Sequence, residues 1–311
     1  TALNTGSNVL NPAAATSETI TFDQSLTVTK GTVKTLTLKC NVSSAATGTF
    51  TWTITPGSTN PTVTGVTSGS SVTSTGSAAT SALQTIGTGS LVTSTSPSSP
   101  SYTIAAAGST GVTAGVIRFR ATNEAINLSR IGLTLTNSAS SSASDLVQVS
   151  IWDGATQVGT ATFTGTNTNA TSTLSSTVTL PKDADKDLTV KIDLASIGTG
   201  LTGTQGALIA VDNNATNDST GTRGTGAGSG TTINATGSTA VAGVRMFKSF
   251  PTFAVDSSLS GNGVSDGKLM RFKVTANANG GVGINQFKFT MATTSATVTS
   301  VNLYGYTDSA Y

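Results

Sequence analysis

Fourteen carboxylates, no histidine and a single cysteine limit the chemistry this 311-residue chain can carry. Without an imidazole there is no Ser-His-Asp relay and no histidine metal site, and Cys40 alone cannot build a thiolate zinc cluster. Paired carboxylates remain as a formal route to hydrolysis, but none of the aspartates, nor Glu18 or Glu124, sits in a recognisable catalytic motif. A protein that is not an enzyme is expected. What the acids and amides do suit is a hard cation. Asp212, Asn214, Asn217 and Asp218 form an oxygen-rich loop of the kind Ca²⁺ prefers, and the competing reading is an ordinary Asn/Asp turn.

The elements that must position these residues read as strands. Apolar side chains alternate with polar ones at Leu36, Leu38, Cys40 and Val42, at Ile117, Phe119 and Ala121, and at Ile131, Leu133 and Leu135. They do so again at Val147, Val149 and Ile151, at Leu188, Val190, Ile192 and Leu194, and at Phe287, Phe289 and Met291. A period of two with Thr, Val and Ile enriched is the signature of half-buried strands, and Gly, Asn, Asp and Ser clusters punctuate them as turns. No stretch shows helical spacing. The fold class expected is all-β, built of immunoglobulin-like β-sandwich modules. Residues 56–100 and 213–240 lack clear alternation, and surface loops and an extra layer of Thr/Ser strands both remain open for them.

The chain also resembles itself at a period of about 152 residues. Lys30–Val42 matches Lys182–Leu194 without a gap, and Val149–Trp152 matches Val301–Tyr304. Gly111–Gly115 followed by Arg118-Phe119-Arg120 matches Gly263–Gly267 followed by Arg271-Phe272-Lys273, with one residue inserted. Pro100–Ile104 resembles Pro251–Val255 and marks where a module starts. The expected organisation is therefore the second part of a module over 1–98, a complete module over 99–249 and the first part of another over 250–311. Across the repeat, Asp183, Asp185 and Asp187 fall opposite Gly31, Val33 and Thr35, so this acidic run reads as a solvated turn rather than a calcium loop.

Outward positions carry the interaction signal. With Ile117 and Phe119 turned inward, Arg118 and Arg120 face out, and Arg271 and Lys273 repeat the pair; Trp152 and Tyr304 place an aromatic on the same outer face. Trp, Tyr and Arg are enriched at interfaces, so these six residues are candidates for subunit contacts, although a loop of the same module could equally cover Trp152. Cys40 aligns with Ile192 and is expected inside. The six Asn-X-Ser/Thr sequons match the number expected by chance from this composition and carry no glycosylation signal.

The remaining composition bounds location and partners. Sixteen basic residues against 14 acids, dispersed without a basic run, give a net charge of +2 and no nucleic-acid footprint. No apolar stretch is long enough for a transmembrane helix, and Thr1–Asn11 has neither the basic start nor the apolar core of a signal peptide, as in a mature or trimmed chain. Low charge with abundant Ser, Thr, Asn and Gly is the composition associated with exported bacterial surface proteins.

Val116–Thr122, Val147–Gly154 and Val178–Leu194 resemble the tandem immunoglobulin-like modules of bacterial cell-surface and surface-layer-type proteins. The resemblance implies a secreted, non-enzymatic structural protein that self-assembles into coats or filaments, often with bound Ca²⁺; a wall-anchoring module is not seen. The leading expectation is a structural subunit of an extracellular assembly such as an S-layer, sheath or filament. Its partner would be a second copy of itself, with strand complementation between the part-modules at either end. The alternative is an adhesin or carbohydrate-binding stalk contacting cell-envelope glycan.

Overall fold

The computed structural model describes residues 2–11, 17–43, 46, 48–57, 60–137, 139–257 and 267–307; the expected match over Gly263–Asp266 lies outside these. Among the described residues there is no α-helix, and the architecture is all-β. Every buried apolar side chain in the core falls between Leu91 and Met246.

Within that span the strands are β1 (Ser90–Thr95), β2 (Thr103–Ala106), β3 (Val112–Thr122), β4 (Ile126–Arg130), β5 (Gly132–Leu135) and β6 (Leu146–Asp153). They continue with β7 (Thr156–Ala161), β8 (Asn169–Thr171), β9 (Thr173–Leu174), β10 (Val178–Leu180), β11 (Asp185–Leu194) and β12 (Leu208–Ile209). The last are β13 (Val211–Asn213), β14 (Arg223–Gly226), β15 (Thr232–Gly237) and β16 (Val244–Phe247). Ten of them form one sheet in the order β9-β7-β6-β11-β3-β1-β15-β14-β4-β10. Two three-stranded sheets, β8-β5-β13 and β12-β16-β2, complete the unit.

The large sheet curls on itself. Just beyond its terminal strand β10 the chain returns to β3 through a bridge between Ala121 and Lys182, and β9 comes within 8 Å of β4. The enclosed apolar faces make one core around Phe119, Ile117, Val149, Ile151, Leu188, Val190 and Ile192, all at most 1% exposed. The alternation read from the sequence is what builds it, since only a period of two puts every second side chain of β3 and β11 on the inner face.

β1 lies upstream of residue 99, where the repeat places a module start, yet it is a central strand here. It runs antiparallel to β3, with Leu91 opposite Ala121, and parallel to β15, with Leu91 opposite Ala235. Sheet membership follows from pairing, which the repeat spacing does not encode.

Three expectations change in the structure. Val147 is exposed because a bulge between Leu146 and Gln148 shifts the register and turns Leu146 inward instead. Leu36, Leu38, Cys40 and Val42 form no strand and are exposed, so the thiol of Cys40 is not a buried core group. Phe287, Phe289 and Met291 likewise belong to no strand; the two phenylalanines gather beside the hairpin of β17 (Pro251–Val255) and β18 (Phe272–Ala276). Alternation reports what a strand can bury, and burial then needs a partner to cover it.

The two stretches without alternation also become legible. Residues 223–237 form the β14–β15 hairpin inside the large sheet; the inward positions of β14 are taken by Gly224 and Gly226, and those of β15 by Ile233 and Ala235. A side chain at Gly224 would meet Ile126 Cγ2 at 2.5 Å and the Asn127 carbonyl at 2.7 Å, so glycine is what lets β4 and β14 approach. Residues 49–85 hold only two-residue strands, paired as short antiparallel ribbons.

Candidate functional site

The outer face of β3 and β11 carries an alternating ladder of charge. Arg118 lies opposite Asp187 and Arg120 opposite Asp185 in the strand register. Arg118 makes a two-pronged contact with Asp187, through Nε at 2.8 Å and Nη2 at 3.0 Å, and Arg120 Nη1 donates to Asp185 Oδ1 at 2.9 Å. The Ser96 hydroxyl donates to Asp187 Oδ2 at 2.5 Å and ties the end of β1 into the ladder. The Arg118 guanidinium, followed by Ser96, holds the Asp187 carboxyl below the usual carboxylate range. The acidic run 183–187 is thus part of an ion-pair ladder rather than a freely solvated turn. It opens β11 and supplies counter-ions to the two arginines.

This arrangement makes a pH prediction. A carboxylate whose folded-state pKa is lowered contributes stability that is present above its ordinary value and disappears as pH falls through the folded value. Arg118→Ala should lower the melting temperature at about pH 7, and the deficit should shrink as the pH falls below the ordinary carboxylate range and through the lowered folded-state value of Asp187. Thermal melts across pH read it directly; a deficit as large at low pH as at neutral pH would assign the loss to packing of the arginine stem instead.

Trp152 sits beside this ladder, half-buried. Its Nε1–H donates to Ser150 Oγ at 2.9 Å, and the Lys191 ammonium lies 4.1 Å from the ring centroid. The indole face is therefore covered by its own sheet. Lys186, opposite Phe119 in the strand register, pairs with Asp153 at 2.7 Å.

The four residues of the oxygen-rich loop divide in two. Asp212 is buried on β13, where its carboxylate accepts from Thr136 Oγ1 at 2.6 Å, Thr239 Oγ1 at 2.8 Å and the Val241 N–H at 3.0 Å. Asn214 is also buried; its Oδ1 accepts from Thr216 N–H and hydroxyl, and its amide donates to Thr220. Asp218 is exposed and accepts from the Thr220 hydroxyl, the Thr220 N–H and the Gly221 N–H, which pull its pKa down to about 2. Asn217 is exposed in the turn between them. Each carboxylate faces donors of the chain itself, and among the described residues no three acid, cysteine or histidine side chains converge as a metal cluster.

Sequence reasoning missed two polar anchors. Glu124 accepts from the backbone N–H groups of Gly228 and Ser229 and from the Ser229 hydroxyl, and the Ser229 N–H is the main cause of its lowered pKa. It staples the glycine-rich loop of 226–230 to the β3–β4 turn. Asp145, fully buried, accepts from the backbone of Ser142 and Thr204. Nothing in a sequence connects partners some 60 or 100 residues apart, although Glu124 being one of two glutamates was a usable signal.

The other interface candidates lie outside the closed unit. Lys273 Nζ is 3.8 Å from the buried Asp256 carboxylate, and the Asp256 N–H donates to the Arg271 backbone carbonyl. Tyr304 is 72% exposed. Phe253, Phe272, Phe287 and Phe289 stack edge-on and tilted with centroids 5.4–6.1 Å apart, lining an open apolar groove of about 230 Å³ together with Met270. No helix among the described residues is long and apolar enough to cross a membrane. No protein-family model matches the chain, and no curated protein matches it at a significant level.

Proposed function

We propose that the protein is a structural subunit of an extracellular assembly, such as a surface layer, sheath or filament, in which tandem immunoglobulin-like β-sandwich modules pack head to tail. One observation carries the proposal: side chains with strand spacing are buried between residues 91 and 246 and exposed on both sides of that span. Leu36, Leu38, Val42, Phe253, Met270, Phe289 and Tyr304 are all about half exposed or more. A soluble monomer seldom leaves so much apolar surface open, and surface of this kind marks an interaction site. Two different apolar faces, one before and one after the closed unit in sequence, make heterologous contacts, which propagate as filaments or sheets when they do not close.

The rest of the surface suits close packing. Charged residues make up 10% of the chain, and on the β3–β11 face they neutralise one another, so neighbouring copies meet little repulsion. Location outside the cell rests on composition and on the resemblance to surface-layer modules.

Sedimentation velocity over rising concentration, with and without millimolar Ca²⁺, tests the proposal. The full chain is expected to move into large species as concentration rises, while residues 86–249 stay monomeric. A full chain that remains a monomer throughout would overturn the reading.

A further inference from the structure

We infer that Arg130 and Arg223 form a clamp for a sulfate or phosphate group on the outer face of the large sheet. A bulge makes the pair. β4 runs antiparallel to β14 with Ile126 opposite Gly226, Asn127 opposite Thr225 and Leu128 opposite Gly224. The register then slips by one residue, so that Arg130 and not Ser129 stands opposite Arg223. Strict alternation from the buried Ile126 and Leu128 would turn position 130 inward. The extra residue brings it out beside a second arginine instead, and bulges recur next to functional sites because they re-aim a side chain in this way.

The pairing works against the sheet. Like charges directly opposite one another destabilise an antiparallel pair, and the two outward arginines of β3 avoid this by standing opposite Asp187 and Asp185. Arg130 has only neutral partners: its Nε donates to the Gly221 carbonyl at 2.7 Å and its Nη2 to the Asp218 carbonyl. These contacts fix the guanidinium without cancelling its charge. Its Nη1 and the whole Arg223 guanidinium have no acceptor among the described residues. The Asp218 carboxylate is occupied by Thr220 and Gly221. Burial, followed by Arg223, pushes the Arg130 pKa below the ordinary guanidinium value, and Asp218 does not offset them.

An anion supplies what the fold leaves out. One guanidinium fork satisfies the two oxygens of a carboxylate, whereas two forks call for the additional oxygens of a sulfate or phosphate. Beside the arginines, Asn234 stands opposite Arg223, and Thr225 opposite Thr232. No described residue bonds to these three side chains, so they are free to take the hydroxyl groups of a sugar that carries the anion. A sulfated or phosphorylated glycan and a free oxyanion present the same group to the clamp.

Titration calorimetry of the full chain at fixed ionic strength tests this, with dextran sulfate, neutral dextran, sodium sulfate and sodium phosphate as probes. The wild type is expected to bind dextran sulfate or a free oxyanion and to ignore neutral dextran. Arg223→Gln should bind at least tenfold more weakly. Lys248→Gln, which removes the same charge from an exposed position elsewhere, should bind as the wild type does. Binding of the sulfated polymer alone places the group on a glycan and binding of the free anions alone places it on a small molecule; either supports the clamp. In chloride, Arg223→Gln should melt higher than the wild type by up to about 4 °C, because the repulsion is gone, which also shows that the variant folds. No binding by the wild type, undiminished binding by Arg223→Gln or an equal loss in Lys248→Gln would overturn the clamp. So would an Arg223→Gln that melts lower, since the arginine would then serve the fold.

Discussion

A chain that begins at residue 99 is expected not to fold, while one that begins at residue 86 and ends at 249 melts cooperatively. The difference is β1. It lies between five strands on one side and four on the other in the ten-stranded sheet, so its removal cuts the sheet in two and exposes two unpaired edges. It also takes Leu91, 1% exposed, out of the core, and deleting a buried leucine alone costs about 2–5 kcal/mol. Thr93, equally buried, accepts from the Asn213 amide and donates to the Thr236 carbonyl, so its loss orphans polar groups as well. Together with the lost ladder these losses reach the whole of a domain's stability, about 5–15 kcal/mol. Circular dichroism melts of the two fragments decide the matter, and a cooperative transition in the shorter one would show that the strand is dispensable.

The second large effect falls on Asp212. Replacing it with alanine removes the acceptor for two hydroxyls and one backbone N–H in a buried site, and an orphaned buried donor costs about 1–3 kcal/mol. A loss of about 2–4 kcal/mol is expected for Asp212→Ala, with hydroxyl rotation relieving part of the strain on Thr136 and Thr239. Asp212→Asn should lose less, because one carbonyl oxygen remains. The measurement is chemical denaturation in EDTA and again in millimolar Ca²⁺. If the carboxylate acts through its protein donors, the loss is the same in both. A wild-type stability that rises with Ca²⁺ and a variant that does not respond would return Asp212 to the role of a metal ligand.

How much of this was legible in the sequence depended on what each residue does with its inward position. β11 was legible because Leu188, Val190, Ile192 and Leu194 fill the inner face and Thr, Lys and Asp the outer. β14 was not, because Gly224 and Gly226 take the inner positions and leave no apolar pattern, although they are there to let β4 come close. Val147 was misread because one bulged residue inverts the faces on either side of it. The residues of the charge ladder were seen separately, as outward arginines and as an acidic turn. Their pairing depends on the register between two strands nearly 70 residues apart, which neither segment contains. Lys30–Val42 teaches the converse: the same pattern as β11, in a segment that the described residues leave uncovered.

The proposal that stands or falls first is that apolar surface exposed on either side of the closed unit joins copies of the protein into an extended assembly. Negative-stain electron microscopy of the purified full chain beside a variant lacking residues 250–311 tests it most directly. Ordered filaments or sheets from the full chain, lost in the variant and retained at high salt, are what the account predicts. Dispersed single particles from the full chain at every concentration and salt would contradict it.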